Sequence, residues 1–236
     1  MERFKKTDII ETGRLQYGTS ASFIGINTKT NKKGIYKENG CLLSVTNEDI
    51  REKLASDILS TIKVPCAQID LVYDEDLQQN ACFSNYIISD DEMLINPPTI
   101  TSEDASNLES FVNSLTLGVQ EQTNDSVFAL EYKKNLYNKI YLSSLLDSFD
   151  LKSANLPYVY NTKTDQYRTC ACFDYGVAFV ENATQDCQQL SELSSNDVMK
   201  YMVREHYEDI KETVTNVNTI LTPENIDLIF SREYFI

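Results

Sequence analysis

Two kinds of hydrophobic spacing divide the chain near Pro98. Before this point, apolar and polar residues alternate in short runs separated by small and polar residues, a pattern typical of strands. After it, apolar residues recur at the three- and four-residue intervals of a helix face. The sequence therefore predicts an α+β protein whose strands precede most of its helices.

The N-terminal part predicts about five strands and one helix. The helix covers residues 47–62, where Ile50, Leu54, Ile58 and Ile62 share one apolar face. The other predicted elements are a meander at 14–38 that opens with a strand at 14–17, strands at 67–73 and 81–88, and a linker at 89–95.

The C-terminal part predicts helices and a single hairpin. The hairpin joins Val159–Tyr160 to Tyr167–Phe173 across a polar turn. The helices are predicted at 105–117, at 126–148, from about 194 to 217, and from Thr222–Pro223 onward. These elements predict two parts of the chain, a sheet with one helix at 1–95 and a mainly helical part at 96–236.

The composition of the 236 residues is that of an ordinary globular protein, with 42% hydrophobic and 24% charged residues. No apolar run is long enough to predict a membrane-spanning helix. The first residues are not followed by the apolar core of a secretion signal. We therefore expect a cytoplasmic protein, or a delivered effector without a conventional signal peptide, and no membrane partner.

Charge is unevenly distributed along this acidic chain, whose net charge is -15. This balance argues against direct nucleic-acid binding. Residues 1–37, however, hold eight Lys and Arg against three acidic residues. A basic beginning could attract a polyanion such as a nucleotide, or it could be an ordinary solvated face.

The cysteines and the histidine do not predict a metal centre. None of the six cysteines has zinc-ligand spacing, so we expect free thiols in a reducing compartment. The one histidine, His206, lies in the predicted helix 194–217 and is interpreted as a solvated helical residue.

The segment from Asp150 to Gly176 carries the strongest candidate chemistry. It contains the string Asp150-Leu-Lys152-Ser-Ala-Asn155, then the predicted hairpin, then Asp174-Tyr-Gly176. Asp150 could accept a proton from an acceptor hydroxyl, and Lys152 could neutralise charge on a transferred phosphoryl group. Asn155 and Asp174 offer the oxygen ligands that Mg²⁺ prefers. The two strings have the spacing of a protein-kinase catalytic loop and of its metal-binding Asp-Phe-Gly signature.

A second group of candidates lies upstream and would contact a nucleotide. The small residues Gly18, Ser20 and Ser22 could cover phosphates with backbone N–H groups, although most such segments are simple turns. Lys37, at the end of a predicted strand, could reach phosphates if a carboxylate on the predicted helix held it. Glu48 and Glu52 lie four residues apart on one helix face; Glu52 is preferred and Glu48 stays open.

Taken together, these residues resemble the HipA-like bacterial serine/threonine kinases, including the CtkA-type proteins. The similar residues are Asp150-Leu-Lys-Ser-Ala-Asn155, Ala171-Cys-Phe-Asp174-Tyr-Gly176, Glu52-Lys-Leu-Ala-Ser56, Val64-Pro65 and Cys82-Phe83. The resemblance implies a compact two-lobed protein-kinase-like fold, without the extra N-terminal subdomain of long HipA proteins. Its N-lobe (1–95) would be an antiparallel β-sheet with one helix, and its C-lobe (96–236) mainly α-helical.

The resemblance also implies ATP and Mg²⁺ as cofactors and phosphorylation of protein Ser or Thr, including self-phosphorylation at Ser20 or Ser22. Family members often have an Arg-His pair where this chain has Leu151-Lys152. Two other functions stay open, a pseudokinase that acts as a binding scaffold and a small-molecule phosphotransferase. The expected partners are an unidentified protein substrate and an antitoxin-like or host protein.

Overall fold

A computed structural model of the protein describes residues 4–14, 22–38, 47–101, 105–148, 151–176, 178–179 and 187–231. The chain forms two compact units. The first comprises Met1–Ile87, Phe173–Val177 and Thr219–Ile236, and the second comprises Ile88–Cys172 and Ala178–Asn218. The division at residues 95 and 96 stays a prediction.

The first unit contains a six-stranded sheet. Its strands are β1 (Phe4–Lys5), β2 (Ile9–Arg14), β3 (Ser22–Asn27), β4 (Lys32–Glu38), β5 (Ile69–Asp74) and β6 (Gln79–Asn85). Their order across the sheet is β1-β5-β6-β4-β3-β2, and all neighbours are antiparallel except β1 and β5. A turn of 3-10 helix, Lys6–Asp8, links the first two strands.

Alternation along the strands gives the sheet two apolar faces. One face carries Tyr36, Val72 and Phe83, which form a buried cluster. The other face packs against the helix α1 (Glu48–Thr61), where Ile50 contacts Leu71. The helix α7 (Pro223–Phe230) also belongs to this unit and contacts α1.

The second unit is built on two long helices, α2 (Leu108–Thr123) and α3 (Ser126–Leu145). Each begins at a capping side chain, because Asn107 accepts a bond from Ser110 N and Asp125 accepts bonds from Val127 N and Phe128 N. The remaining helices are α4 (Gln188–Glu192), α5 (Ser195–Glu205) and α6 (Tyr207–Ile220), the last of which ends in the first unit. A three-stranded sheet, β7 (Glu92–Ile95), β8 (Tyr158–Asn161) and β9 (Gln166–Thr169), packs against α3.

The structure confirms the predicted helix at 47–62 and the predicted hairpin, which is β8 and β9. Two predictions were wrong. The predicted linker contains β7, which pairs with β8, and the predicted helix 194–217 is interrupted at His206. Of the strand expected at 14–17, Arg14 lies in β2, and residues 15–17 lie outside the described part. Among the described residues, no helix is both long and apolar enough to cross a membrane.

Candidate active site

The first unit gathers two carboxylates around one ammonium. Lys37 Nζ lies 2.9 Å from Glu52 Oε1, 3.2 Å from Glu52 Oε2 and 2.8 Å from Asp174 Oδ1. The Glu52 side chain is only 5% exposed, whereas that of Asp174 is 43% exposed. Glu52 is therefore the buried anchor of the lysine, and Asp174 is the carboxylate that faces solvent.

Strand register places Lys37 between one residue of β3 and one residue of β6. It lies directly opposite Ser22 of β3 on one side and Cys82 of β6 on the other. Directly opposite residues of an antiparallel pair project from the same face of the sheet. Ser22, Lys37 and Cys82 therefore share the face against which α1 packs Glu52.

Asp174 reaches the lysine through an unusual backbone conformation. Its φ angle is 63°, in the left-handed region that residues other than glycine seldom adopt. Phe173, the preceding residue, packs in an apolar cluster with Ala67, Ile69 and Cys82. The strained turn is thus fixed by packing on its N-terminal side and by the ion pair at its own side chain.

The electrostatics of the cluster favour a permanently charged lysine. Burial lowers the pKa of Lys37, but the Glu52 and Asp174 carboxylates raise it more, so the pKa stands well above its ordinary value. Burial raises the pKa of Glu48, and the neighbouring Glu52 and Asp174 raise it further. One ammonium therefore sits among three acidic groups, a local excess of negative charge that a cation would relieve.

Lys152 and Asn155 lie in the second unit, around a turn of 3-10 helix at Ser153–Asn155. Asn155 N donates to Lys152 O at 2.8 Å. Buried Leu151 and Leu156 anchor both ends of this segment, and Tyr132 of α3 donates its hydroxyl to Leu156 O at 2.7 Å. Residues 151–156 are therefore firmly anchored within the second unit.

The chain just before Asp150 is also anchored. Asp147 accepts a hydrogen bond from Ser195 in the first turn of α5, and its φ angle is 47°. Phe179 N donates to Leu146 O at 2.9 Å. These contacts fix the entry to the predicted catalytic loop from two other parts of the second unit.

The predicted site residues have these positions in the structure. Gly18, Ser20 and Asp150 lie outside the described residues. Ser22, Lys37, Glu52 and Asp174 belong to the first unit, where the last three form the ion cluster and Ser22 lies opposite Lys37. Lys152 and Asn155 belong to the second unit. Of the two glutamates left open by the sequence, Glu52 holds Lys37.

Cys82 is a site neighbour that the sequence did not identify. Its buried thiol lies 3.6 Å from Glu52 Oε2. The prediction that residues 81–88 form a strand placed Cys82 in the sheet, but only the register with β4 brings it beside Lys37. Register depends on non-local pairing, which the local pattern does not contain.

His206 is not the solvated helical residue that the sequence predicted. Its ring stacks on Tyr137 with 3.9 Å between the centroids, and Nε2 lies 2.7 Å from Glu109 Oε1. Tyr137 and Tyr201 also donate their hydroxyls to Glu109. The cluster joins α2, α3 and α5 of the second unit and explains why the chain turns at His206.

Oxygen donors are the groups here that could hold a metal ion. Asp174 of the first unit supplies a half-exposed carboxylate and Asn155 of the second unit supplies an amide, and both are oxygen donors of the kind that Mg²⁺ prefers. Within the described ranges, no three His, Cys, Asp or Glu side chains gather as a metal site. The use of Asn155 and Asp174 as Mg²⁺ ligands, which the sequence suggested, stays a prediction.

The elements of the two units form a two-lobed protein-kinase-like fold, with a sheet and the helices α1 and α7 in the first unit and mainly helices in the second. The chain is similar in structure to the crystal structure of a Helicobacter pylori proinflammatory kinase, CtkA. The TM-score is 0.59 at 13% sequence identity, and the match covers 89% of this chain and 68% of the other. No protein-family model and no curated protein matches the sequence. The likeness therefore shows the fold.

Proposed function

We propose that this protein is a HipA-like kinase that uses ATP and Mg²⁺ to phosphorylate Ser or Thr residues of proteins, including its own. One observation carries the proposal. Lys37 is held by a buried glutamate of α1 and by the aspartate of an Asp-Tyr-Gly turn. Kinase phosphoryl transfer requires a lysine paired with a helix glutamate and an aspartate that can hold Mg²⁺, and these three residue types meet here.

Lys37 binds the phosphates of the nucleotide in this proposal. Its ammonium is already oriented by Glu52, so little freedom is lost when an anion binds. Ser22 and the segment with Gly18 and Ser20 cover the phosphates. Ile24 and Ile35, which are half-buried cross-strand neighbours on the same sheet face as Lys37, provide apolar surface for the base.

The acidic surroundings of Lys37 support the use of a divalent cation. Asp174 and Asn155 would hold Mg²⁺, which would supply positive charge to the phosphates. Because Asp174 Oδ1 pairs with Lys37, nucleotide binding would redistribute the contacts of both groups. Phosphate oxygens would then accept hydrogen bonds from Lys37 Nζ that Asp174 accepts here.

Asp150 and Lys152 perform the transfer. Asp150 accepts the proton of the substrate hydroxyl. The hydroxyl oxygen forms a bond to the γ-phosphorus, and the bond between that phosphorus and the bridging oxygen of ADP breaks. Lys152 stabilises the negative charge on the transferred group. Asp147 and Leu151, which lie on either side of residues 149–150, are anchored in the second unit, and proximity catalysis needs such firm support.

The partner of this chemistry is a protein substrate, and an antitoxin-like or host protein would regulate it. Incubation of the protein with labelled ATP and Mg²⁺ tests the proposal. We expect label on the protein itself and on an added protein substrate, and loss of both in Asp150→Ala. Lys37→Met should lower transfer by about a hundredfold or more. Lys32→Met removes an exposed lysine of the same strand and should leave the rate unchanged.

The same assay separates the alternatives. Transfer to metabolites but not to protein would identify a small-molecule phosphotransferase. A protein that neither transfers phosphate nor gains thermal stability from ATP with Mg²⁺ would be a binding scaffold, and the proposal would be wrong.

The proposed self-phosphorylation has its own test. After incubation with ATP, mass spectrometry should find phosphate on the peptide that contains Ser20 and Ser22, and a Ser20→Ala/Ser22→Ala variant should lose it. An unmodified peptide from active protein would contradict this part alone.

A further inference from the structure

The Lys37–Glu52 pair has a third member that contributes a thiol. Cys82 Sγ lies 3.6 Å from Glu52 Oε2, the same oxygen that lies 3.2 Å from Lys37 Nζ. An ionised carboxylate only accepts hydrogen bonds, so the thiol is the donor in this contact. Glu52 therefore accepts hydrogen bonds at both oxygens from Lys37 of β4 and a further one at Oε2 from Cys82 of the neighbouring strand β6.

The position of Cys82 lets it act on the whole cluster. It lies directly opposite Lys37 across the β4–β6 ladder and is 2% exposed. It also belongs to the apolar cluster that contains Phe173, the residue before Asp174. Cys82 thus contacts Glu52 of α1, lies opposite Lys37 of β4 and belongs to the cluster against which Phe173 packs.

The chemistry of the thiol suits a permanent donor. Burial raises the pKa of Cys82 well above its ordinary value, and the Glu52 carboxylate raises it further. The thiol therefore keeps its proton at neutral pH and is a poor nucleophile. A carboxylate oxygen has two lone pairs, and the thiol adds a second donor at Oε2, the oxygen to which Lys37 makes its longer contact.

We propose that Cys82 is a positioning residue that fixes the Glu52 carboxylate by an S–H bond to Oε2 and so holds Lys37 ready for phosphate. The kinetic consequence rests on the proposed function, whereas the hydrogen bond does not. Cys82 itself does not touch the reacting groups. It acts through Glu52.

Three substitutions separate the bond from the space that the side chain fills. Cys82→Ser keeps a donor, Cys82→Val fills similar space without one, and Cys82→Ala removes both. Cys170→Ala is the matched control, because Cys170 is equally buried but lies in the second unit. All four variants are compared at equal folded concentration, established by circular dichroism.

We expect Cys82→Val to raise the KM for ATP about fivefold, the effect of losing one modest hydrogen bond. Cys82→Ser should restore most of this loss, and Cys170→Ala should keep the wild-type KM even if its stability falls. A purely structural role predicts that KM follows stability and that Ser gives no rescue. Equal KM values for wild type, Val and Ser would overturn the positioning role.

The S–H stretching band in infrared spectra gives a readout that needs no nucleotide. The Cys82 band is assigned by difference from Cys82→Ser, and it should move to higher frequency in Glu52→Gln, because a neutral acceptor is weaker than a charged one. A band that does not move would overturn the proposal even in an active kinase. A band that moves in a protein without ATP binding or transfer would support the thiol bond and refute the proposed function.

Discussion

At the scale of the residue, the backbone at the Asp-Tyr-Gly turn is not as the sequence suggests. Glycine is the residue that usually takes left-handed conformations. Here Asp174 has a φ angle of 63°, while Gly176 lies outside that region. A methyl group added to Gly176 would lie 3.7 Å from Glu48 Cβ, an ordinary van der Waals distance. Gly176 is therefore not required for space or for backbone conformation.

Gly34 gives the contrast, and together the two glycines make a testable pair. A Cβ on Gly34 would lie 2.5 Å from the Ser84 carbonyl oxygen and 2.7 Å from the Phe83 ring, so the central strands would have to move. We expect Gly34→Ala to lower the free energy of unfolding by about 2 kcal/mol or more. Gly176→Ala should stay within about 0.5 kcal/mol of wild type in the same urea titration. Equal losses in both variants would contradict this account.

Two replacements of Asp174 distinguish the effect of losing its charge from the effect of its left-handed backbone conformation. Asn tolerates the left-handed region and Ala does not, so Asp174→Ala should be less stable than Asp174→Asn by about 1 kcal/mol. Both variants lack the carboxylate and should lose phosphoryl transfer under the proposed function. Urea unfolding with parallel ATP assays checks both expectations. Identical stabilities would mean that the turn relaxes when the ion pair to Lys37 is removed.

At the scale of elements, Glu109 connects three helices of the second unit. It accepts hydrogen bonds from Tyr137 of α3 and Tyr201 of α5 and lies beside His206 at the end of α5. Glu109→Ala leaves these donors without their shared acceptor and should cost about 1 to 3 kcal/mol of unfolding free energy. Glu121→Ala on the exposed face of the same helix is the control and should change little. An unchanged free energy of unfolding in Glu109→Ala would show that water replaces the carboxylate as the acceptor of these hydrogen bonds.

The strand β7 is tied to the hairpin by a pH-dependent pair. Arg168 donates to both oxygens of Glu92, and with the Ser89 N–H it lowers the Glu92 pKa to about 2 from an ordinary 4.5. The pair therefore stabilises the folded state fully above pH 4.5, and this contribution is lost as pH falls toward 2. Since the Arg168 side chain is 43% exposed and screened by solvent, we expect only about 1 kcal/mol from the pair.

Glu92→Gln tests that expectation. The difference in unfolding free energy from wild type should be constant at neutral pH and shrink below about pH 4.5, measured by urea titrations at several pH values. Lys163→Met removes the exposed partner of Asp91 in the same sheet and serves as a control with a smaller effect. A difference that grows on acidification would have the wrong sign for this pair.

The sequence predicted the elements whose pattern is local. The apolar face of α1 and the β8–β9 hairpin are set by spacing and turn residues, and both were predicted. β7 was not, because its exposed Met93 and Leu94 give no alternation and its pairing partner is distant in sequence. The break at His206 was also hidden, since buried Met202, Ile210 and Val214 continue a four-residue repeat through it.

The candidate site shows the same limit. The motif spacing indicated Lys37, Glu52 and Asp174, because each residue type is required at its place in a known constellation. The sequence left Glu48 open, since two glutamates one turn apart differ only in which one meets the lysine. Cys82 and the left-handed Asp174 depend on register and on packing around Phe173, and neither is encoded in a local pattern.

At the scale of the whole molecule, the chain ends in the unit in which it begins. Thr219–Ile236 belongs to the first unit, and α7 contacts α1, the helix that carries Glu52. Thr222 caps α7 by accepting a bond from Asn225 N, and Pro223 occupies its first turn. Ile229 is 2% exposed, whereas its neighbour Leu228 is 60% exposed. The C-terminal helix therefore contributes a buried side chain to the lobe that holds the ion cluster.

These two neighbours make a matched pair for the role of α7. Ile229→Ala should lower the stability of the first unit by about 2 to 4 kcal/mol, because it removes a buried aliphatic side chain, and Leu228→Ala should cost less than about 0.5 kcal/mol. Hydrogen exchange reports the site of the effect: amides of α1 should exchange faster in Ile229→Ala, while those of α2 and α3 in the second unit keep their wild-type rates. If α1 is loosened, Glu52 holds Lys37 less firmly, so the KM for ATP should rise in Ile229→Ala and not in Leu228→Ala. Unchanged exchange in α1 would show that α7 packs on this lobe without supporting the helix that carries Glu52.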